Sequence, residues 1–280
     1  MNIRIIPKLD IKNENLVKGV NLEGLRSLGN PKKFAEIYYS KGADELIYHD
    51  VVASLYERNS ATELIKKTSR NIFLPMLVGG GINNLNEVER VLKSGADRIF
   101  INTAAINNHK FIDEIIKFFG ASTLVVSIEV IKKDKYFFCR KDFGREQTNL
   151  KIEEWCKKIQ DKGVAEIMVT SIDKDGTGKG FDLEIVKILK NNVSIPYILN
   201  GGFSNLKDFE EVLNIDTPSG FAIGSVFHYN QIKKISNKRK NTDGNFEFLE
   251  KKSSFNNFKP LSIKKIKKFL EIKFSSKSKK

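Results

Sequence analysis

LPMLVGGGI (74–82) returns as IPYILNGGF (195–203), and GADELIYHD (42–50) returns as GVAEIMVTS (163–171), both at an offset of 121 residues. Each segment is a short apolar run that ends in a polar or glycine-rich turn. Two matches, in order and at one offset, mark an internal duplication. Outward from them, apolar runs lie at 3–9, 45–51, 73–78, 97–102, 122–130, 166–172, 195–199 and 219–224. Amphipathic stretches separate them near 31–42, 60–70, 84–94, 108–119, 153–162, 182–191 and 204–214, with an eighth in KPLSIKKIKKFLEI (259–272). Strands alternating with helices imply a parallel sheet, and continuous apolar runs imply strands buried on both faces. Eight such units close into a (β/α)8 TIM barrel with a half-barrel internal repeat. An open doubly wound sheet is the structural alternative. The expected barrel spans 1–231 plus 259–273. An exposed insertion, rich in Lys, Asn and Ser, fills 232–258, and 274–280 forms a basic disordered tail.

The net charge of +14 resembles a nucleic-acid signal until it is located. From Gln231 onward there are 16 Lys/Arg against 4 Asp/Glu, so the preceding residues carry only +2. The excess belongs to a solvated tail, with RNA or an anionic surface as the alternative partner. Nucleic acid is therefore not an expected ligand of the fold. No apolar stretch is long enough to span a membrane. The N-terminus meets charge too early for a signal peptide. Cys139 and Cys156 fit neither a disulfide framework nor a zinc site, so a cytoplasmic setting is expected.

Barrel enzymes work at the C-terminal ends of their strands. Those ends here carry Asp10, Asp50, Gly80 and Gly81, Asn102 and Thr103, Glu129, Ser171, Asp175, Gly201 and Gly202, and Gly224 and Ser225. The turns GGGI and NGGF stand on opposite halves, each before a helix. Glycine lets backbone N–H groups approach an anion, and a helix N-terminus adds positive potential. Two phosphates at opposite sides of the barrel mouth are the expected ligand. Asp10 and Glu129 end strands 1 and 5, which face each other, and such a pair can divide acid and base roles. The loop TSIDKDGTGKGFD (170–182) supplies Asp173, Asp175, Gly176 and Thr177 as polar groups over the site. It lacks EF-hand spacing, and no metal or cofactor is expected. Lys18, in the long loop after strand 1, reads either as a flexible arm closing over a phosphate or as an exposed lysine. His49, His109 and His228 are scattered and read as surface or structural residues. Arg4, Glu45, Arg98 and Glu166 lie near strand starts, and their balanced charges suggest a ring around the axis rather than separate rim bridges.

RIIPKLDIKNENLVKG, NLEGLRSLGNP, DELIYHD, LVGGGI, GADRIFINTAA, TSIDKDGTGKGFD and GSVFHY together resemble the cyclase subunit of imidazole glycerol phosphate synthase. A sister family, the phosphoribosyl-formimino isomerases, shares the repeat and both phosphate turns. NLEGLRSLGNP, TSID and the four-charge ring favour the cyclase. The resemblance implies that ammonia is joined to a bis-phosphate ribulosyl-formimino substrate, giving imidazole glycerol phosphate and aminoimidazole carboxamide ribonucleotide. It places Asp10 and Glu129 on the two catalytic aspartate positions and Lys18 on a loop lysine. It places Arg4, Glu45, Arg98 and Glu166 on a ring where ammonia enters, with Arg98 where lysine is usual. No glutaminase triad is visible, so a separate glutaminase subunit is implied, docked on the ring face to form a heterodimer. Two departures stand out: Glu129 is longer than aspartate, and Lys8 replaces a small cysteine. Lys8 shares strand parity with Asp10 and is expected to lower its pKa and narrow the axis. Some relatives of this cyclase supply ammonia for sugar amidination in surface-polysaccharide synthesis. That reading, including a barrel that only scaffolds the glutaminase, is the alternative.

Overall fold

The structure, a computed structural model, describes residues 3–53, 60–232 and 261–277. The chain runs β1 (Arg4–Lys12), β2 (Asn15–Val20), β3 (Glu23–Gly29), α1 (Pro31–Ser40), β4 (Leu46–Asp50), α2 (Ser60–Ser69), β5 (Met76–Gly79), α3 (Leu85–Lys93), β6 (Arg98–Ile101), α4 (Thr103–Asn107), α5 (His109–Phe119), β7 (Leu124–Lys133), β8 (Tyr136–Lys141), β9 (Glu146–Lys151), α6 (Ile152–Asp161), β10 (Glu166–Ser171), α7 (Leu183–Asn192), β11 (Tyr197–Asn200), α8 (Leu206–Leu213), β12 (Gly220–Ile223), α9 (Ser225–Ile232) and α10 (Ile263–Lys277). The parallel order β1-β4-β5-β6-β7-β10-β11-β12 returns to β1 and closes a barrel. The expected fold is the one observed.

Local chemistry sets the boundaries. Asn30 caps α1 and Pro31 opens it; Asn84 caps α3, and Asn205 with Asp208 forms a capping box on α8. These side chains satisfy amides that a helix start leaves free. Asp44 and Asp97 share a further role. Each precedes a strand and accepts the N–H of the preceding barrel strand at 2.8 Å, from Ile5 and Met76 respectively.

Two apolar cores hold the barrel. One lies between the sheet and the helices and includes Phe34, Tyr38, Trp155, Phe209 and Phe221. The other is a single layer inside the barrel: Ile6, Ile47, Leu77, Phe100, Val125, Met168, Ile198 and Ala222, one residue from each barrel strand. Interior residues alternate with exterior ones along every strand, so positions two removed from this layer also face the axis. Arg4, Glu45, Arg98 and Glu166 fall two residues below it; Lys8, His49 and Asn102 fall two above it, and Asp10 and Glu129 four above it.

Two hairpins depart from the expected pattern. β2–β3 follows β1, and β8–β9 follows β7, each pairing antiparallel with its barrel strand. The left-handed residues Asn13, Asn21 and Leu22 recur as Asp134, Asp142 and Phe143, again 121 residues on. The duplication therefore extends to the backbone conformation of both hairpins. The C-terminal boundary also moves: α10 continues to Lys277, into the stretch assigned to a disordered tail. The segment expected as an insertion, apart from Ile232, lies outside the described residues. No helix among the described residues is long and apolar enough to cross a membrane.

Candidate active site

Among the described residues, two of the cavities at the C-terminal ends of the strands are lined by the strand-end candidates. The larger, about 330 Å³, is lined by Asp50, Gly80, Gly81, Asn102, Thr103 and Glu129, together with His49, Phe100, Asp142 and Phe143. The smaller, about 20 Å³, is lined by Asp175, Gly176, Asn200, Gly201, Gly202, Gly224 and Ser225. Gly80 and Gly81 stand 121 residues from Gly201 and Gly202, and all four have positive φ. A Cβ on Gly80 would lie 2.2 Å from the Asp50 carbonyl oxygen, and one on Gly202 would lie 2.0 Å from that of Gly180. Only glycine fits these turns, so the backbone is free to approach a ligand. Ser225 opens α9 and lines the smaller cavity, which puts a helix N-terminus beside it.

The remaining sequence candidates take other places. Ser171 donates to Asp182 at 3.1 Å, and Thr177 donates to the Lys174 carbonyl at 2.7 Å; both brace the loop. The Asp50 carboxylate accepts the Val52 N–H at 3.2 Å and shapes its own turn. Lys18 is neither a flexible arm nor exposed. It is buried on β2, 2.6 Å from Asp175 and 3.4 Å from Asp10. Burial disfavours its charge, but the two carboxylates outweigh this and raise its pKa. Its Cε would lie 3.7 Å from a Cβ on Gly224, which puts the ammonium group beside the smaller cavity.

Asp10 and Glu129 lie in opposite environments. Asp10 is 1% exposed and lines neither cavity. Burial would raise its carboxyl, but ion pairing with Lys8 and Lys18 and the nearby His49 outweigh it and hold it well below the carboxylate range. Glu129 lines the larger cavity and accepts from Asn102 at 3.1 Å. Burial dominates there and pushes its carboxyl up to about 7. Asp10 is in register with His49 and Glu129 with Thr170, 121 residues after His49, so the two carboxylates occupy equivalent positions on the two halves, with Ser127 where the first half has Lys8. Lys8 is fixed from outside the barrel. His228 bonds the Lys8 carbonyl through Nε2 at 3.0 Å and Tyr38 through Nδ1 at 2.7 Å. Burial pushes the His228 pKa down to about 3, so the ring is neutral. Its Nε2–H donates to the carbonyl and its Nδ1 accepts the tyrosine hydroxyl. His109 bonds the Ala105 carbonyl at 2.8 Å, a structural contact.

At the strand-start end the four charges form a closed ring. Arg4 bonds Glu45 at 2.6 Å and pairs with Glu166; Arg98 reaches Glu166 at 2.7 Å and Glu45 at 3.6 Å. Ser219, just before β12, donates to Glu166 at 2.5 Å and accepts from Arg4 at 3.1 Å. It completes the ring, and sequence reasoning missed it: by strand register the repeat partner of Arg98 is Gly220, so neither charge nor the repeat points to Ser219. Burial raises the Glu45 carboxyl. At Glu166 burial is outweighed by Arg4, Ser219 and Arg98, so that carboxyl is lowered. His49 was also missed as a site residue: strand parity with Glu45 and Ile47 was the available signal.

The histidine biosynthesis protein family model matches residues 4–233. Three similar curated proteins each bear the name imidazole glycerol phosphate synthase subunit HisF. The one from Legionella pneumophila is 48% identical over 209 residues, covering 74% of this chain and 99% of the relative. That from Sulfurisphaera tokodaii is 40% identical over 236 residues, 84% of this chain and 94% of the relative. That from Bacillus cereus is 38% identical over 246 residues, 87% of this chain and 97% of the relative. A duplicated barrel with paired glycine turns and a charge ring, matched over nearly the full length of these proteins, belongs to the HisF family of histidine biosynthesis proteins.

Proposed function

We propose that this chain is an ammonia-using cyclase that converts a phosphoribulosyl-formimino bis-phosphate into imidazole glycerol phosphate and aminoimidazole carboxamide ribonucleotide. The observation that carries the reading is the pair of repeat-related glycine turns, each lining a cavity at the barrel mouth, with Glu129 on the wall of the larger one. Gly80, Gly81, Asn102 and Thr103 hold one phosphate. Gly176, Gly201, Gly202, Gly224 and Ser225 hold the other, with Lys18 supplying charge. Glu129, poised near neutrality, transfers protons, because a group with a pKa close to the working pH can both take and return one.

Ammonia comes from a separate glutaminase on the ring face. Support for that face comes from the apolar residues left exposed. Tyr39 and Phe118 end helices that lead back to strand starts, Phe73 precedes β5, and Ile272 lies in the C-terminal half of α10. These are four of the five exposed large apolar residues among the described ones, and all four lie at the strand-start end; the fifth is Tyr136 on the β8 hairpin. Exposed apolar groups concentrated at one end mark an interaction surface.

The test is turnover of the bis-phosphate substrate with ammonium salt and no partner. Product formation is expected; a protein that binds the substrate yet never converts it overturns the reading. A second reading, ammonia delivery for sugar amidination, draws on one observation. Lys8 and Lys18 occupy the Asp10 carboxylate that a cyclase would use. Failure of the ammonium assay favours it.

A further inference from the structure

The larger cavity holds an imidazole to which the proposed reaction gives no role. His49 on β4 is in register with Asp10 on β1, so the two side chains emerge side by side on the inner face. His49 Nδ1 is buried without a hydrogen-bond partner, 3.6 Å from Asp10 Oδ1. Phe100 and Phe143 meet the ring edge-on, at centroid distances of 5.0 and 5.2 Å, and fix its plane. The residue is 8% exposed and lines the cavity together with Glu129.

We propose that His49 is a proton-transfer residue of this site, oriented by Asp10 as an imidazole–carboxylate pair. The inference rests on the cyclase reading above and changes the part played by Asp10. That carboxylate lines no cavity and is gripped by Lys8 and Lys18, so it is ill placed to meet a substrate. It is well placed to remain ionised and accept Nδ1–H once the gap closes slightly; such bonds are often long in the unliganded enzyme and tighten around the substrate. The Nε2 lone pair is then left free. His49 takes a proton there, becomes an imidazolium beside the Asp10 carboxylate, and returns the proton to the leaving group, ending the cycle neutral. The same division of labour, with one group moving the proton and a buried carboxylate orienting it, recurs on unrelated folds. The charged groups around His49 are Lys8 and Asp10 from β1, Asp50 next to it in the chain, and Glu129 and Asp142 on the cavity wall. Burial, with Lys8, outweighs the carboxylates and lowers its pKa, so the ring is neutral at pH 7, as a base must be.

The experiment is histidine-labelled ¹⁵N NMR on the full chain at neutral pH, beside the ammonium-driven assay. The protein has three histidines, and loss of a signal in His49→Gln assigns the ring. The Nδ1-protonated tautomer is expected; the Nε2-protonated one overturns the pair. In the assay, His49→Gln and His49→Leu should each lose roughly 100-fold or more in kcat with little change in KM. Both should also shift the acidic limb of the kcat/KM profile. A kcat within about twofold of wild type in a variant that melts normally overturns the role. If the wild type itself turns over nothing, the cyclase reading falls, and the tautomer alone decides the pair.

Discussion

Glu129 receives one side-chain hydrogen bond, from Asn102, against a burial that lifts its carboxyl from 4.5 to about 7. Across that window the unfolded chain is ionised at this position while the folded chain holds the proton. The folded state then binds more protons than the unfolded one, so stability falls as pH rises through it. The loss amounts to about 3 kcal/mol at roughly 1.4 kcal/mol per unit. Glu129→Gln should therefore melt above wild type at pH 8 and with it at pH 4; the same difference at both pH values would refute the shifted carboxyl. Asp10 has the opposite sign. Its lowered pKa contributes stability above the ordinary carboxylate range that is lost as pH falls through the folded value. Sequence alone makes Asp10→Asn a fold-neutral test of catalysis. The structure does not, because that change strands Lys8 without its partner inside the barrel. Removing one member of a buried ion pair costs about 3–5 kcal/mol. Urea denaturation should show that loss in Asp10→Asn and recover much of it in the double variant Lys8→Met, Asp10→Asn. No recovery would mean that Lys8 finds another partner.

The barrel strands were legible because each is a continuous apolar run, and the helices because their caps and periodicity agree with the observed ends. The hairpins were not. β2 and β9 carry Asn, Lys, Gln and Thr, and half of each hairpin faces solvent or ligand, so neither apolar run nor helical period marks them. Lys18 was lost with β2: a lysine in a polar stretch reads as a loop residue until pairing with β1 and β3 buries it. The turns were readable in principle, since Asn13 and Asp134 are residues that tolerate the left-handed region. The loop after β10 docks on the first hairpin: Asn21 N–H bonds the Asp175 carbonyl at 2.8 Å, and Asn21 Nδ2 bonds that of Ile172 at 2.7 Å. A Cβ on Gly176 would lie 2.3 Å from the Gly19 carbonyl oxygen, at a φ of +73° that side chains rarely adopt. Gly176→Ala should push loop and hairpin apart, raising KM for the bis-phosphate at least tenfold. The barrel core is untouched, and calorimetry should still show one cooperative transition. Unchanged KM would remove the docked loop from the binding site.

At the scale of the whole molecule, the ring and the mouth lie at opposite ends of one axis, and the eight-residue apolar layer separates them. Barrel interiors are packed, and here Phe100 fills the space that Gly79 leaves: a Cβ on that glycine would sit 2.6 Å from the ring. Ammonia released into water at neutral pH is mostly protonated and no nucleophile, so a protected route has value. The axis is the short route, and it starts at Arg4, Glu45, Arg98 and Glu166. Arg4 is held by both glutamates and by Ser219, so its loss would open the whole ring. Arg98 has the looser grip, with its contact to Glu45 at 3.6 Å and Glu45 Oε1 left without a hydrogen bond. That makes Arg98 the link that can yield without unfolding the strand starts. Arg98→Ala leaves Arg4 to neutralise half of the acidic charge and touches nothing above the apolar layer. Turnover driven by added ammonium salt should stay within about twofold of wild type, while glutamine-driven turnover with the partner glutaminase should change by roughly tenfold or more. Equal losses in both assays would make the ring a structural ion cluster, and ammonia would have to reach Glu129 by another path.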